Sequence, residues 1–172
     1  TEIYTLSLHD ALPIFPEPHE YKPVLRDVLL DCPEGPGVPY GEKKRKIFEL
    51  VPPGGYWRDI NPEVAKEYMK SCWNMEGGRT GILRRMSLDE PSLTVLTSPS
   101  QKQTERCHPL EARPFTVREN ARCQMFPDDW EFCGNVSSQY KQVGNAVPVS
   151  LAYDVAKEIY NSLEVLEENE RT

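Results

Sequence analysis

A long apolar stripe near the C-terminus limits the folds that this chain can adopt. After Pro148, apolar residues recur at the spacing of one helical face, namely Ala152, Val155, Ala156, Ile159, Leu163 and Leu166. A helix with such a face is stable in a globular protein when another element covers it. No nearby segment is long and apolar enough to do so. We therefore predict a helix over 148–168 whose Val155, Ile159 and Leu163 are more exposed than core residues, because the sheet that would cover them lies in another part of the protein.

The rest of the chain predicts short helices joined by turns rich in proline and glycine. Asn61 followed by Pro62 is a strong helix start, since Asn caps free N–H groups and Pro suits the first turn. Thr116 and Glu119 have the spacing of a capping box. We expect helices over 21–32, 42–50, 61–71 and 116–125, one helical turn over 137–142, and a strand over 92–98, where β-branched residues are concentrated.

The charge distribution leaves a nucleic-acid partner open although the net charge is −7. Acidic residues are concentrated at the two ends. Residues 79–122 instead carry eight Lys or Arg and five Asp or Glu, which gives a local charge of +3. Such a stretch suits contact with phosphates, but the same arginines would serve equally well as partners of nearby acids on a solvated face.

The cysteines favour a reducing compartment, and we expect a cytoplasmic protein. Their number is odd, and none forms a C-x-x-C pair. A zinc site would have to combine Cys107, His108, Cys123 and Cys133, whose spacing matches no common zinc pattern, so no metal is expected. The chain also has no run of about 18 apolar residues, and therefore no membrane-spanning helix is predicted.

The first 14 residues, TEIYTLSLHDALPI, fit neither a signal peptide nor a regular element. Read back into codons, they correspond to a DNA string that resembles a common sequencing-library adapter. We therefore expect Thr1–Ile14 to be a translated adapter artefact, and the natural protein to extend beyond Phe15 at its N-terminal side. The simpler alternative is a genuine N-terminal segment.

Two segments carry specific motifs. Residues 113–129 read R-x-x-T-x-R-E-x-A-R-x-Q-x-F-P-D-D, and residues 142–148 read Q-x-G-N-A-V-P. A third segment, residues 90–109, precedes them and is rich in polar side chains. Together they resemble the C-terminal part of the DNA (cytosine-5) methyltransferases, in which the ninth and tenth sequence blocks follow a variable target-recognition region in this order.

This resemblance implies a fold and a domain organisation. The whole protein would be an α/β doubly wound S-adenosylmethionine-dependent methyltransferase with a small target-recognition domain, and this chain would be an α+β fragment of it. Residues 15–112 would form the target-recognition region and residues 113–172 the C-terminal closing part of the catalytic domain. In the family, methyl is transferred from S-adenosylmethionine to C5 of a cytosine flipped out of double-stranded DNA, commonly in restriction–modification. We expect a monomer.

The resemblance also assigns cofactor contacts. The loop of the tenth block borders the S-adenosylmethionine pocket in the family, which implies contacts from Asn145, Ala146 and Val147. Exposed amides at a helix start can hold a carboxylate, and an Asn side chain adds a donor. The simpler alternative is that Gly144 and Asn145 only form a turn before a helix.

Candidate DNA contacts come from the polar segment before the ninth block. Arginine suits guanine, glutamine suits adenine, and the hydroxyl of Thr suits phosphate or base. The alternative is a polar loop around a small sheet. The candidates are Arg84, Arg85, Thr97, Gln101, Lys102, Gln103 and Arg106.

No catalytic residue is expected in this chain. The family nucleophile lies in a Pro-Cys motif and the assisting glutamate in Glu-Asn-Val, and neither motif occurs here. The parent would be an enzyme, while this chain alone would be inactive. A second hypothesis is a non-catalytic sequence-specific DNA-binding module, against which the cofactor-lining block argues. A third is a structural domain whose likeness to the motifs is accidental.

Overall fold

The computed structural model describes residues 15–77, 79–99 and 101–170, and of residues 165–170 it describes the backbone alone. The predicted adapter, Thr1–Ile14, lies outside the described residues. The described part contains six α-helices: α1 (Leu25–Leu29), α2 (Glu42–Leu50), α3 (Pro62–Met69), α4 (Val117–Cys123), α5 (Val136–Gly144) and α6 (Val149–Glu170). Short 3₁₀ turns occur at Trp57–Asp59, Lys70–Asn74 and Lys102–Thr104.

The described residues form two compact units. The larger unit comprises residues 21–148, and the smaller comprises residues 15–20 with α6. The predicted boundary between residues 112 and 113 falls inside the larger unit and stays a prediction.

Three apolar clusters form the core of the larger unit. The first joins α2 and α3 to the segment around Leu83, the second joins α1 to Met86 and Phe115, and the third joins α4 to α5. Each of these short helices buries one face against a neighbour, which supplies the stability that a helix of five to nine residues lacks alone. The most fully buried side chains include Phe48, Met69, Leu83, Leu25, Val117, Tyr140 and Val143.

Both helix starts predicted from capping residues are confirmed. Asn61 Oδ1 accepts a hydrogen bond from the N–H of Glu63 at 2.8 Å. At the start of α4, Thr116 Oγ1 accepts from the N–H of Glu119 at 3.2 Å, while Glu119 Oε2 accepts from the N–H of Thr116 at 2.7 Å. These are the reciprocal bonds of a capping box.

The strand predicted over 92–98 is wrong. No strand lies in the described residues, where the β-pairing consists of isolated bridges from Cys107 to Arg85 and to Pro114. The backbone of Leu96 instead crosses the end of α5 so closely that a Cβ on Gly144 would lie 2.6 Å from its carbonyl carbon. No described segment pairs with residues 92–98, so the β part of the predicted α+β class is not seen there.

Two helix predictions also need correction. The helix predicted over 21–32 is confined to Leu25–Leu29, because its first N–H groups donate to the carbonyls of Glu90 and Leu88 and fix the start at that point. The single turn predicted over 137–142 is the longer helix α5, which Asn135 caps by accepting a hydrogen bond from the N–H of Ser138 at 2.9 Å.

Helix α6 leaves much of its apolar surface exposed. Val155, Ile159 and Leu163 are 41%, 57% and 43% exposed, which confirms the prediction for this face. Within the smaller unit, His19 Nε2 lies 2.9 Å from Asp154 Oδ2. Among the described residues, no helix is long and apolar enough to cross a membrane.

Candidate functional site

The ninth-block motif forms a buried ion pair at the start of α4. Glu119 is almost fully buried, and its two carboxylate oxygens accept hydrogen bonds from Arg113 Nη1 and Nη2, both at 2.8 Å. Arg113 also binds Glu111 at 3.0 Å. Burial alone raises the pKa of Glu119, but the bonds from Arg113 and from the N–H of Thr116 outweigh it and hold this pKa below its usual value. Glu119 is therefore a charged structural anchor.

His108 lies beside this ion pair and is also buried. Its Nδ1 accepts from the N–H groups of Leu110 (3.2 Å) and Glu111 (3.3 Å), which places the ring proton on Nε2, 3.5 Å from Glu119 Oε1. Burial lowers the pKa of His108 although Glu119 opposes this shift. The imidazole is thus neutral near pH 7. In the part of the chain that the structure describes, no group of three or more His, Cys, Asp or Glu could hold a metal ion.

Gln124 joins the ninth block to the tenth. Its side chain is buried, and Nε2 donates to the carbonyls of Val143 and Ala146, both at 3.1 Å. This amide fixes the end of α5 and the loop that follows it. The sequence pattern places Gln124 in the ninth block but assigns it no individual role. The available signal was a polar residue next to an apolar helix face, but the sequence does not say which backbone groups such a residue binds.

The predicted cofactor residues form the loop after α5. Asn145 and Val147 are exposed and Ala146 is partly buried. The N–H of Asn145 donates to Lys141 O at 3.0 Å, whereas the Asn145 side chain has no hydrogen-bond partner in the described ranges. Gln124 holds this loop in place, and the exposed amide of Asn145 can donate to a ligand that carries a carboxylate.

Three of the seven predicted DNA-contacting residues, Arg84, Gln103 and Arg106, line one open groove of 390 Å³ in the larger unit. The groove lies between the turn around Gly81 and the segment that ends at Arg106. The other lining residues are Thr80, Gly81, Leu93 and Thr104.

Two of the remaining candidates bind the protein's own backbone. Arg85 donates from Nη1 to the carbonyl of Val51 at 2.9 Å and from Nε to that of Pro109 at 3.2 Å. Lys102 Nζ donates to the carbonyl of Tyr68 at 2.7 Å. Both cations thus hold neighbouring segments together, which leaves them fewer donors for an external partner.

The last two candidates lie outside the groove walls. Gln101 is exposed, and its Oε1 accepts a hydrogen bond from Thr104 Oγ1 at 3.1 Å. Thr97 is partly buried where its backbone approaches Gly144, since a Cβ on Gly144 would lie 2.6 Å from Thr97 N. DNA contact by either residue stays a prediction.

The ninth and tenth blocks, linked through Gln124, place the chain in a known class. Residues 12–161 match the family described as C-5 cytosine-specific DNA methylase, and the chain belongs to this family. It is 56% identical over 149 residues to the Type II methyltransferase M.Sau96I of Staphylococcus aureus. It is 57% identical over 134 residues to M.PspPI of Psychrobacter sp. (strain TA137) and 54% identical over 134 residues to M.Eco47II of Escherichia coli.

These matches cover most of the chain but a minor part of each relative. They include 87%, 78% and 78% of this chain, and 35%, 32% and 32% of the three relatives respectively. The chain therefore spans about a third of the length of the curated relatives it matches.

Proposed function

We propose that this chain is the target-recognition and closing part of a DNA (cytosine-5) methyltransferase. The whole protein would transfer methyl from S-adenosylmethionine to C5 of a cytosine flipped out of a specific duplex site, as a cytoplasmic monomer in restriction–modification. The observation that carries the proposal is the bond pair from Gln124 to Val143 and Ala146, which makes the two family blocks one rigid unit. The similarity to three Type II methyltransferases supports it.

The loop after α5 would hold one end of the cofactor. S-adenosylmethionine supplies an electrophilic methyl group when bound. The Asn145 side chain would donate to its carboxylate, and Ala146 and Val147 would line the site through their backbone. Gln124 would act as a positioning residue, because it holds this loop without reaching the ligand itself.

The larger unit would contact double-stranded DNA through its basic, polar segment. The groove that contains Arg84, Gln103 and Arg106 is the best-supported surface, since these side chains converge there. Arg85 and Lys102 would support this surface from behind through their bonds to backbone carbonyls. Gln101 and Thr97 would extend it.

Helix α6 would dock on the catalytic part of the enzyme. Its Val155, Ile159 and Leu163 face solvent, and exposed apolar side chains in such number are typical of a surface that another element covers. The two thirds of the relatives' length that this chain does not span would supply that element.

A complementation experiment tests the proposed function. The chain is mixed with the segment of M.Sau96I that precedes the matching region, and transfer of tritiated methyl from S-adenosylmethionine to duplex DNA is measured. We expect neither part to be active alone, and the mixture to methylate C5 of cytosine. The Ile159→Asp variant should bind the second part less tightly and lower the activity.

The alternative, a non-catalytic DNA-binding module, predicts a different result. Such a module would bind duplex DNA, yet size-exclusion chromatography would detect no complex with the M.Sau96I segment. A stable complex that transfers no methyl group to any duplex would also contradict the proposed function.

A further inference from the structure

The groove in the larger unit holds two arginines on adjacent, paired backbone segments. The N–H of Cys107 donates to the carbonyl of Arg84 at 3.0 Å, and the N–H of Glu105 donates to that of Gly81 at 2.8 Å. A parallel bridge between Arg85 and Cys107 continues this pairing. The positions of both arginine backbones are therefore fixed by hydrogen bonds within the fold and do not depend on a mobile loop.

Neighbouring side chains on the same segments serve the interior. Arg85 donates to the carbonyls beneath it, and the buried carboxylate of Glu105 accepts from the N–H of Leu83 at 2.6 Å. Successive side chains of an extended segment point in opposite directions. Arg84 and Arg106 consequently line the groove, while the side chain of Glu105, next to Arg106, lies in the interior.

The two guanidinium groups have little to neutralise them. Arg106 donates from Nη1 to the preceding carbonyl at 3.1 Å, and Arg84 Nη2 lies 3.5 Å from Glu90, a carboxylate that is more than half exposed. Among the described residues, the buried Nε atom of each has no hydrogen-bond partner. Burial and then the charge of Arg84 lower the pKa of Arg106. Arg113 and Arg122, by contrast, each bind two carboxylates.

We propose that Arg84 and Arg106 form a clamp for one phosphate diester of the DNA backbone. The inference rests on the proposed function and names the surface by which the chain holds its DNA. Two like charges brought together, with one half-exposed carboxylate (Glu90) beside Arg84, raise the free energy of the unbound protein, and a ligand with a full negative charge relieves this repulsion. A phosphate offers oxygens that accept from both guanidinium forks, whereas a base edge carries no net charge. Thr80 and Gln103 supply neutral donors on the same walls.

The salt dependence of DNA binding tests the clamp. The full chain is titrated with fluorescein-labelled duplexes of random sequence, and anisotropy is measured between 25 and 200 mM salt. Each phosphate contact contributes a slope of about −0.9 to the plot of log K against log salt. We expect the double variant Arg84→Gln/Arg106→Gln to weaken binding about tenfold near 0.1 M salt and to make the slope shallower by about 0.9, and each single variant to cause part of both changes, equally for every duplex. Arg106→Lys should retain most of the slope, because a lysine keeps the charge.

Arg26→Gln is the matched control. It removes one positive charge from the same unit, but its guanidinium already binds Asp89 at 2.6 Å and lies outside the groove. We expect its slope to equal that of the unsubstituted chain. Thermal unfolding provides a second readout, since removing one of two repelling charges should leave the melting temperature of Arg106→Gln unchanged or raised.

Three outcomes would overturn the clamp. The first is that Arg26→Gln makes the slope as shallow as Arg106→Gln does, which would show that the effect depends on net charge alone. The second is a loss of binding confined to duplexes with a particular guanine, which would make the arginines base readers. The third is unchanged binding in both groove variants. Methyl transfer in the complementation experiment is measured separately, so the proposed function can stand when the clamp fails.

Discussion

Replacing Gln124 with leucine should destabilise the larger unit by about 2 kcal/mol. The amide is buried and donates to two carbonyls at 3.1 Å each. Leucine has nearly the same volume, so the change removes hydrogen bonds without opening a large cavity. A buried polar group left without its partner costs about 1–3 kcal/mol. The carbonyl of Val143 retains a bond from the N–H of Ala146 at 3.2 Å, whereas the Ala146 carbonyl loses the bond from Gln124. Because one of the two carbonyls keeps a donor, we expect a loss of about 2 kcal/mol and not the sum of two full penalties for unpaired carbonyls.

Urea denaturation followed by tryptophan fluorescence measures this change, and a melting temperature lower by about 4–8 °C is expected for a protein of this size. Gln139→Leu is the matched control, because its amide makes one bond to the Gly134 carbonyl at a more exposed position and should cost under about 0.5 kcal/mol. Gln124→Glu offers an independent check. A carboxylate facing two carbonyls should destabilise more than leucine at pH 7, and protonation at low pH should restore a donor. If Gln124→Leu is as stable as the control, the amide does not hold the loop and its positioning role is refuted.

Three further predictions concern the described fold. Gly144→Ala should destabilise the chain by about 1–3 kcal/mol in urea, because the new Cβ would lie 2.6 Å from the backbone of Leu96; a neutral result would contradict this close approach. Folding lowers the pKa of His108, mainly through burial, so the unfolded chain binds an extra proton and the free energy of unfolding should decrease as the pH falls below about 6.5. The lowered pKa of Glu119 should add a second loss below about pH 4.5. His108→Gln should abolish the first loss and keep the second, and unfolding curves at pH 7, 5.5 and 4 distinguish the two. Ile159→Asp should change the melting temperature by less than about 2 °C, since the side chain is 57% exposed, and a large decrease would show that this face is already covered.

Local sequence rules predicted the parts of the fold that depend on neighbours in the chain. Asn61 and Thr116 cap their helices as expected, because a capping side chain binds N–H groups only two or three residues away. The exposed face of α6 was also predictable, since its periodicity is contained in one continuous helix. The family motifs identified the class of protein for the same reason: each is a short, contiguous pattern.

The strand predicted over 92–98 shows where local rules fail. Its β-branched residues favour extended backbone, but a strand exists only if another segment offers a ladder of hydrogen bonds. Here no described segment offers that ladder, and Leu96 instead lies against Gly144, which is 48 residues away in the sequence. The length of α5 was missed for a related reason, since its buried face packs on α4.

The candidate site shows the same division. The sequence by itself determined the family, the cofactor-lining loop as a candidate, and a polar segment that supplies possible DNA contacts. It treated Arg84 and Arg85 as equivalent. Only the tertiary structure separated them, because Arg85 binds carbonyls of distant segments while Arg84 meets Arg106 across a groove. The direction of a side chain and the partner it finds depend on which remote segments are brought together, and these contacts arise from packing that no local pattern records.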